Sequence, residues 1–547
     1  MGVELCDKEV MRGRKPIDSG METLSGVDGA LLNLETAATP MHVGSLHLFE
    51  TPAGYKGDFY AAVRRMMDQR MAPVLRRRLA GLPLHLANPV WLQGEIDLDE
   101  HIRRVRLPSP GTWAQLEAVV ADLHAELLDR SRPLWMIYVL DGLASGDKAY
   151  YFKIHHAMLD GQAGVALART LFDTSPDAPG GKPKARSAAG KSADSARPPA
   201  PGTLALAAAA FRHDAAQYIK LVRELPGVVR TLAGIVRSSG AKALGATGSG
   251  AEDAADFSEL RRSISFGPRT RLNVAITPER GFATAAVPRA ELKAIAAANE
   301  ATVNDVVLAL CSGALRRYLK RKGSLPHKPL IASMPISLRD EGDTDFRTRA
   351  TLSLVSLATD VADPLKRLRA IRDSSGATKT VAKRAKSVIP TDFPLIGVPW
   401  ILGALASLYG RSSVVNTLPV LANVLISNVP GPPVPLYVNG LRMSGYWPLS
   451  IVQHGVGLNI TLMNYAGTLY LGFVVARNAV PDARRLADDF LDAYEELKRR
   501  MRPAARAARK PAVAKAALAA RRGRPAAKRA AATRAKAPRA RAGVSAR

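Results

Sequence analysis

A segment that cannot form a packed core divides this chain and limits how it can fold. Residues 174–202 contain six prolines, four glycines and five lysines or arginines, but no aromatic residue. Such a composition buries too little apolar surface to offset the entropy lost on ordering, so we expect a disordered linker. The sequence on both sides has globular patterning. We therefore expect two lobes joined by this connector.

Composition and patterning predict the remaining boundaries. With 547 residues, 47% of them apolar, the chain is long enough for two cores. We expect a polar extension over 1–20, a first lobe over 21–173, the linker, a helical connector over 203–258, a second lobe over 259–500 and a disordered Lys/Arg/Ala/Pro tail over 501–547. Apolar periodicity predicts helices over 114–130, 162–172, 289–299 and 304–320, and strands over 136–140, 149–154, 330–337, 421–427, 458–463 and 469–475. Helices and strands mixed in both lobes indicate an α/β fold.

The positive charge of the chain is concentrated in the tail. Residues 502–547 hold 15 lysines and arginines and no acid, so the rest of the chain carries +14 of the net charge of +29. A tail of this kind favours anionic partners. We expect peripheral contact with an anionic membrane or lipid-inclusion surface; nonspecific contact with nucleic acid and a solvated tail without a partner are the alternatives.

Cysteine content and apolar runs bear on the compartment. Cys6 and Cys311 are too few for a disulfide framework or a cysteine-rich metal site, and they indicate a reducing compartment, with Cys311 in an apolar helical pattern typical of core. The first 20 residues lack the apolar stretch of a secretory signal. The longest apolar run, 393–409, is interrupted by prolines and a glycine, which predicts a buried or interfacial element. We expect a cytoplasmic protein that associates peripherally with the inner face of the plasma membrane or with lipid inclusions.

Two adjacent histidines, His155 and His156, lie between a predicted strand and a predicted helix, and Asp160 and Gly161 follow. A neutral imidazole at such a turn can accept a proton from a hydroxyl group, and N–H groups at a helix start beside Gly161 can face an oxyanion. From the residues alone, three interpretations remain open: a catalytic base, a structural histidine pair and part of a metal site. The metal interpretation rests on the i, i+4 spacing of His156 and Asp160. Catalytic zinc needs three protein ligands, and no third one has a suggestive spacing, so no metal is predicted.

Several short motifs, taken in order, resemble those of one known protein family. His155-His156-x-x-x-Asp160-Gly161 is similar to the HHxxxDG signature of CoA-dependent acyltransferases and peptide-synthetase condensation domains. The other motifs resemble the bacterial wax ester synthase/diacylglycerol acyltransferase family; they are residues 24–28, Leu34-Glu35-Thr36, residues 39–44, Pro133-Leu134-Trp135, Asn304-Asp305, residues 335–339, residues 427–432 with Leu436-Tyr437, and residues 457–461. The resemblance extends from about residue 24 to residue 498, interrupted by the linker.

The resemblance implies roles for the residues of the histidine motif. His156 would be the general base that deprotonates the acceptor hydroxyl, which then attacks the acyl-CoA thioester without an acyl-enzyme. His155 and Gly161 would belong to the same catalytic motif. Asp160 would be structural, with Arg339 as its ion-pair partner.

The remaining motifs supply substrate-binding candidates, namely Asn304, Pro133, Trp135 and Asn428. Structural roles are the alternative for each of them. Pro133 and Trp135 could shape the fold, and Asn428 could form a turn. Asn304 lies at a helix start, where Thr302 and Asp305 predict a capping box.

The resemblance also implies a fold, substrates and partners. The expected fold consists of two chloramphenicol-acetyltransferase-like lobes with an active-site channel between them. Acyl-CoA would be the co-substrate, with no bound cofactor, and diacylglycerol or a long-chain alcohol would be the acceptor, giving triacylglycerol or wax ester. A polyketide or glycolipid hydroxyl is an alternative acceptor, and a non-catalytic lipid-inclusion coat or nucleic-acid-tethering protein is the alternative class. Arg347-Thr348 and Ala476-Arg477 depart from Gly-Asn and Asp-Arg in relatives, which bears on acceptor specificity.

Overall fold

The structure is a computed structural model that describes residues 21–24, 26–81, 89–159, 161–177, 266–337, 350–385, 412–417 and 419–501. Met1–Glu496 form one compact unit and Leu497–Arg547 a second, of which 497–501 are described and helical. The expectations for the extension 1–20, for most of the linker, for the helical connector, for the apolar run 393–409 and for the tail 502–547 lie outside the described residues.

Within the part of the chain that the structure describes, six strands form the sheet of the first lobe. In hydrogen-bonding order they are β12 (Tyr437–Val438), β13 (Leu441–Leu449), β2 (His42–Phe49), β7 (Lys148–His155), β6 (Trp135–Asp141) and β5 (Ile102–Arg106). All neighbours are antiparallel except β5 and β6. The helices of this lobe are α1 (Gly26–Leu34), α2 (Phe59–Arg70), α3 (Leu98–His101), α4 (Trp113–Ala125) and α5 (Gly161–Leu171). A small separate sheet contains β1 (Met21–Thr23), β4 (Val90–Gln93) and β3 (Arg77–Ala80).

Six further strands, counted over the described residues, form the sheet of the second lobe. In order they are β10 (Ala350–Ser356), β9 (Ile331–Ser337), β11 (Val424–Val429), β14 (Leu458–Tyr465), β15 (Thr468–Ala476) and β8 (Arg280–Pro288). β11 is parallel to both of its neighbours, and the other pairs are antiparallel. The helices are α6 (Arg289–Ala298), α7 (Val303–Arg321), α8 (Pro364–Ala385), α9 (Ser412–Thr417) and the helical residues 483–496.

β13 belongs to the first sheet although it lies between two strands of the second sheet in the chain. It pairs antiparallel with β2, so that Tyr446 lies opposite His47 and Pro448 opposite Ser45. The expected boundary at 259 assigns this strand to the second lobe, whereas its hydrogen bonds place it in the first. Most of its side chains are buried, as expected for a strand covered on both faces.

A buried carboxylate joins the two lobes. Glu117 on α4 accepts hydrogen bonds from the backbone N–H of Thr284 (2.8 Å), from the Thr284 hydroxyl (2.6 Å) and from Arg484 Nη1 (2.8 Å). Burial raises the pKa of Glu117, and its hydrogen bonds and the charge of Arg484 oppose that shift. The joint is closely packed elsewhere too, because a Cβ at Gly472 on β15 would lie 1.8 Å from the carbonyl oxygen of Pro448.

The predicted helices and strands are present with ends shifted by a few residues. The capping box is confirmed, since Thr302 Oγ1 accepts from the Asp305 N–H and the Asp305 carboxylate accepts from the Thr302 N–H. Cys311 is buried, as predicted for a core position. Within the described ranges, no single helix is long and apolar enough to cross a membrane; α6 and α7 reach that length and composition only as a pair bent by 99°.

Candidate active site

A cleft lies between the two sheets and encloses about 690 Å³ of empty space, including its part open to solvent. The first lobe contributes residues from β2, β7, α5 and β13, and the second lobe contributes residues from β11 and β14. Among the described residues most of the lining is apolar, and the polar side chains in it are Ser45, His156, Ser427, Tyr446, Ser450 and Thr461. A site of this shape can bind an aliphatic chain beside a few polar groups.

His156 is the histidine that faces the cleft. β7 ends at His155, and the backbone N–H of His156 donates to the carbonyl oxygen of Met41 at 2.9 Å, which extends the pairing with β2 by one step. The His156 side chain is half-buried and lines the cleft. The strand end therefore fixes the backbone while leaving the imidazole accessible to a substrate.

His155 points the other way, into the interior of the first lobe. Its Nδ1 accepts the backbone N–H of Ala157 at 3.0 Å, which assigns the ring proton to Nε2 in the neutral tautomer. Nε2 lies 3.5 Å from Glu35 Oε1, and both side chains are almost fully buried. His155 thus holds the turn from inside, and the two adjacent histidines have different environments.

Glu35 is the centre of this buried arrangement. Its Oε1 accepts the backbone N–H of Met41 at 3.0 Å and lies 3.2 Å from His42 Nε2, and its Oε2 accepts from Arg130 Nη2 at 2.9 Å. Burial alone would raise the pKa of Glu35, but its interactions with His155 and His42 outweigh burial and hold the pKa far below its usual range. Glu35 is therefore ionised at neutral pH and anchors the backbone of Met41, whose carbonyl oxygen accepts the backbone N–H of His156.

A buried lysine, Lys153, influences two buried histidines of this lobe, His42 and His124. Lys153 Nζ donates to the carbonyl oxygens of Leu123 (2.7 Å) and Glu126 (2.8 Å) at the end of α4, and burial lowers its pKa to about 8. Burial lowers the pKa of His42 to about 4; the charge of Lys153 acts in the same direction, and Glu35 opposes it. Burial likewise holds the pKa of His124 well below its usual value, and the charge of Lys153 adds to the effect. His42 and His124 are therefore neutral at neutral pH.

The other candidates from the histidine motif have different placements. Gly161 is the first residue of α5, next to the turn that carries His156. Asp160 and Arg339 lie outside the described residues, so their expected ion pair remains a prediction.

The remaining candidates, Pro133, Trp135, Asn304 and Asn428, are not among the residues that line the cleft. Trp135 is fully buried in the first lobe, where its Nε1 donates to the Leu75 carbonyl at 2.8 Å and its ring stacks on His101; Pro133 precedes it at the end of a loop. Asn304 is half-buried in the first turn of α7. Asn428 is exposed, but Ser427 and Val429 on either side of it line the cleft, because side chains alternate along β11.

Three residues of the site were not identified from the sequence as having roles. Glu35 and His42 lie inside motifs that match the family, but no spacing rule connects them to His155, which is more than a hundred residues away. Lys153 carried a usable signal, since a lysine within the apolar run of a predicted strand must be paired or solvated.

Comparisons with known proteins agree with this site and fold. The family model for the wax ester synthase/diacylglycerol acyltransferase catalytic domain matches residues 24–307, and the model for the WS/DGAT C-terminal domain matches residues 348–498. A putative diacylglycerol O-acyltransferase of Mycobacterium tuberculosis is 36% identical over 488 residues, 87% of this chain and 99% of that protein. The O-acyltransferase WSD of Acinetobacter baylyi is 34% identical over 480 residues, 85% of this chain and 94% of that protein.

A solved structure confirms the expected fold class. The wax ester synthase/diacylglycerol acyltransferase from Marinobacter aquaeolei VT8 is similar to this chain with a TM-score of 0.59 and 27% sequence identity, covering 87% of this chain and 98% of that one. The fold is α/β, with two chloramphenicol-acetyltransferase-like lobes and a channel between them. Both halves of the chain match, and the motif histidine lines the channel. This chain belongs to the wax ester synthase/diacylglycerol acyltransferase family.

Proposed function

We propose that this protein is an acyl-CoA-dependent O-acyltransferase that esterifies diacylglycerol, a long-chain alcohol or both, with His156 as the general base. The observation that carries the proposal is the placement of His156, which lines a largely apolar cleft between the lobes while His155 is turned inward onto Glu35. The relatives are named diacylglycerol O-acyltransferase and O-acyltransferase WSD, which supports the acyl and acceptor classes.

The proposed reaction proceeds in one addition and one elimination. The unprotonated nitrogen of His156 removes the proton of the acceptor hydroxyl as its oxygen bonds to the thioester carbonyl carbon. The tetrahedral intermediate then collapses, the C–S bond breaks, and the imidazolium returns its proton to the departing CoA thiolate. The products are an ester and free CoA, and the histidine regains its starting state without a covalent enzyme intermediate.

The surroundings of His156 suit this reaction in two ways. The apolar lining limits water, which would otherwise compete with the alcohol and hydrolyse the thioester. The backbone of the turn is held through Met41 and Glu35, so that the base does not have to be ordered when the substrates bind.

Replacing the base tests the proposal. His156→Ala is expected to lose about 10²–10⁴-fold in turnover, the usual contribution of a positioned general base. The assay follows CoA release from palmitoyl-CoA that depends on added hexadecanol or diacylglycerol, with chromatography of the ester product. His327→Ala, at an exposed histidine, is the matched control. A folded His156→Ala protein with wild-type turnover would show that the base is elsewhere.

We further propose that the basic tail holds the protein against an anionic lipid surface, where its substrates reside. The support is charge alone, since 15 lysines and arginines without an acid follow residue 501. Deleting 502–547 should abolish flotation with phosphatidylglycerol vesicles and leave turnover of soluble substrates unchanged. Retention of the full-length protein on DNA at physiological salt, without flotation, would favour a nucleic-acid partner instead.

A further inference from the structure

We propose that Ser45, His47 and Tyr446 form a hydrogen-bonded layer that closes the deep end of the cleft and limits the length of the aliphatic chain it accepts. The inference rests on the proposed function and assigns a specificity-determining role to residues away from the histidine motif. Ser45 and Tyr446 line the cleft directly, and His47 supports them from behind.

Strand register fixes the distance between this layer and His156. Ser45 pairs with Phe152 on β7, and His156 follows Phe152 by four residues, immediately after the end of that strand. At about 3.3 Å per residue, the layer lies about 13 Å along the sheet from the base. Val43 and Ile154 pair with each other between these points and also line the cleft. An extended chain of on the order of ten carbons covers that span.

The layer is rigid because its members are bonded and packed on several sides. Ser45 Oγ lies 2.7 Å from His47 Nε2, and Tyr446 also hydrogen-bonds to Ser45. The His47 ring lies between Tyr446 and Tyr150, with centroids 4.4 and 4.7 Å away. Tyr446 also packs against Tyr465 of the second lobe, at 5.8 Å between centroids. The layer is therefore held in place by contacts with both lobes.

Polarity adds to this steric barrier. Burial lowers the pKa of His47 to about 3, so the ring is neutral and keeps its hydrogen bond to Ser45 throughout the working range of pH. A methyl end that entered the layer would separate buried hydrogen-bonding groups from their partners. Leaving such groups buried without hydrogen-bond partners is unfavourable, because they have lost their hydration and gain nothing in exchange. A chain that is too long is therefore resisted by lost hydrogen bonds as well as by contact.

Replacing Ser45 with a larger apolar residue tests the layer. In Ser45→Val, one methyl group replaces the hydroxyl and a second replaces a β-hydrogen, so the larger side chain reduces the depth of the cleft. We expect kcat/KM for the longest substrates to fall about tenfold or more relative to the shortest, the range associated with one misfitted methylene group. The opposite change, Tyr446→Ala, removes a side chain that closes the deep end of the cleft and should raise kcat/KM for the longest substrates.

Two substrate series identify which chain occupies the cleft. One series runs from hexanoyl-CoA to stearoyl-CoA with hexadecanol fixed, and the other from hexanol to octadecanol with palmitoyl-CoA fixed. A shifted profile in the first series assigns the cleft to the acyl chain, and a shift in the second assigns it to the alcohol. Ser444→Val, on β13 and outside the cleft lining, is the matched control and should keep both wild-type profiles.

The outcomes separate this inference from the proposed function. Turnover of the shortest substrates by Ser45→Val shows that the variant is folded. If it does not fold, Tyr446→Ala tests the inference instead, with an expected rise rather than a fall in kcat/KM for the longest substrates. Active proteins whose profiles are unchanged in both series overturn the inference and leave the proposed function intact. A folded wild-type protein that esterifies no acyl-CoA and alcohol pair overturns the proposed function, and the inference with it.

Discussion

Replacing Lys153 with methionine should change how stability depends on pH. The side chain is fully buried, and its Nζ donates to two carbonyl groups at the end of α4. Burial lowers its pKa from 10.5 to about 8. At 1.36 kcal/mol per pKa unit, holding this charge in the interior costs about 3 kcal/mol of folding free energy at neutral pH.

The sign follows from proton binding in the two states. Below pH 8 the lysine is charged in both the folded and the unfolded chain, so the cost is fully present. Between pH 8 and 10.5 the unfolded chain keeps a proton that the folded chain has lost, so folding becomes more favourable as pH rises. Relative to Lys153→Met, the wild-type free energy of unfolding should rise by about 2–3 kcal/mol from pH 7 to pH 10.

Urea unfolding followed by tryptophan fluorescence at several pH values measures this difference. The carbonyl groups that lose their donor in Lys153→Met add a cost that does not change with pH, so they shift the curve without changing its slope. Lys148→Met, on the same strand, controls for the loss of one lysine. If the wild-type and Lys153→Met curves remain parallel over this range, burial does not perturb Lys153 and the reasoning is refuted.

Two further predictions concern the hub at Glu35 and the joint at Gly472. Glu35→Gln should lower the free energy of unfolding by about 1–3 kcal/mol at pH 7 because buried groups lose a charged partner. Because the pKa of Glu35 is lowered in the folded chain, this stability is present above the ordinary carboxyl pKa and is lost as pH falls. The difference in melting temperature between wild type and variant should therefore narrow in acid. An equal gap at all pH values would show that Glu35 is not ionised. Gly472→Ala should cost about 1–3 kcal/mol and reduce turnover, since its Cβ would meet the Pro448 carbonyl at 1.8 Å. Gly376→Ala, in a helix with open space around the added Cβ, is the control, and an equal melting temperature for both variants would contradict the steric argument.

Patterns within a segment were readable from the sequence, and contacts between segments were not. Apolar periodicity predicted α4, β6 and β7 because each of these elements buries one continuous face or run. β13 was not predicted. It contains a glycine and a proline and is buried on both faces, so it shows no alternation.

The site shows the same division. The order of His155 and His156 between a strand and a helix indicated where a base could lie, and the structure places His156 in the cleft. The neighbours that set its environment are distant in sequence: Glu35 from the end of α1, and Ser427 and Thr461 from the second lobe. Only the folded chain brings these groups together.

The pairing of β13 with the sheet of the first lobe has a consequence for the expression of this chain. The edge of β2 that β13 covers stays uncovered until residues 441–449 have been synthesised, nearly 400 positions later. An unpaired apolar edge of this length recruits other strands, so a fragment limited to the first lobe should aggregate. Pairing between strands so far apart in sequence is also slow, because the entropy of closing the loop is lost before the contacts between the strands form. Expression trials should therefore keep both halves in one polypeptide or supply them together.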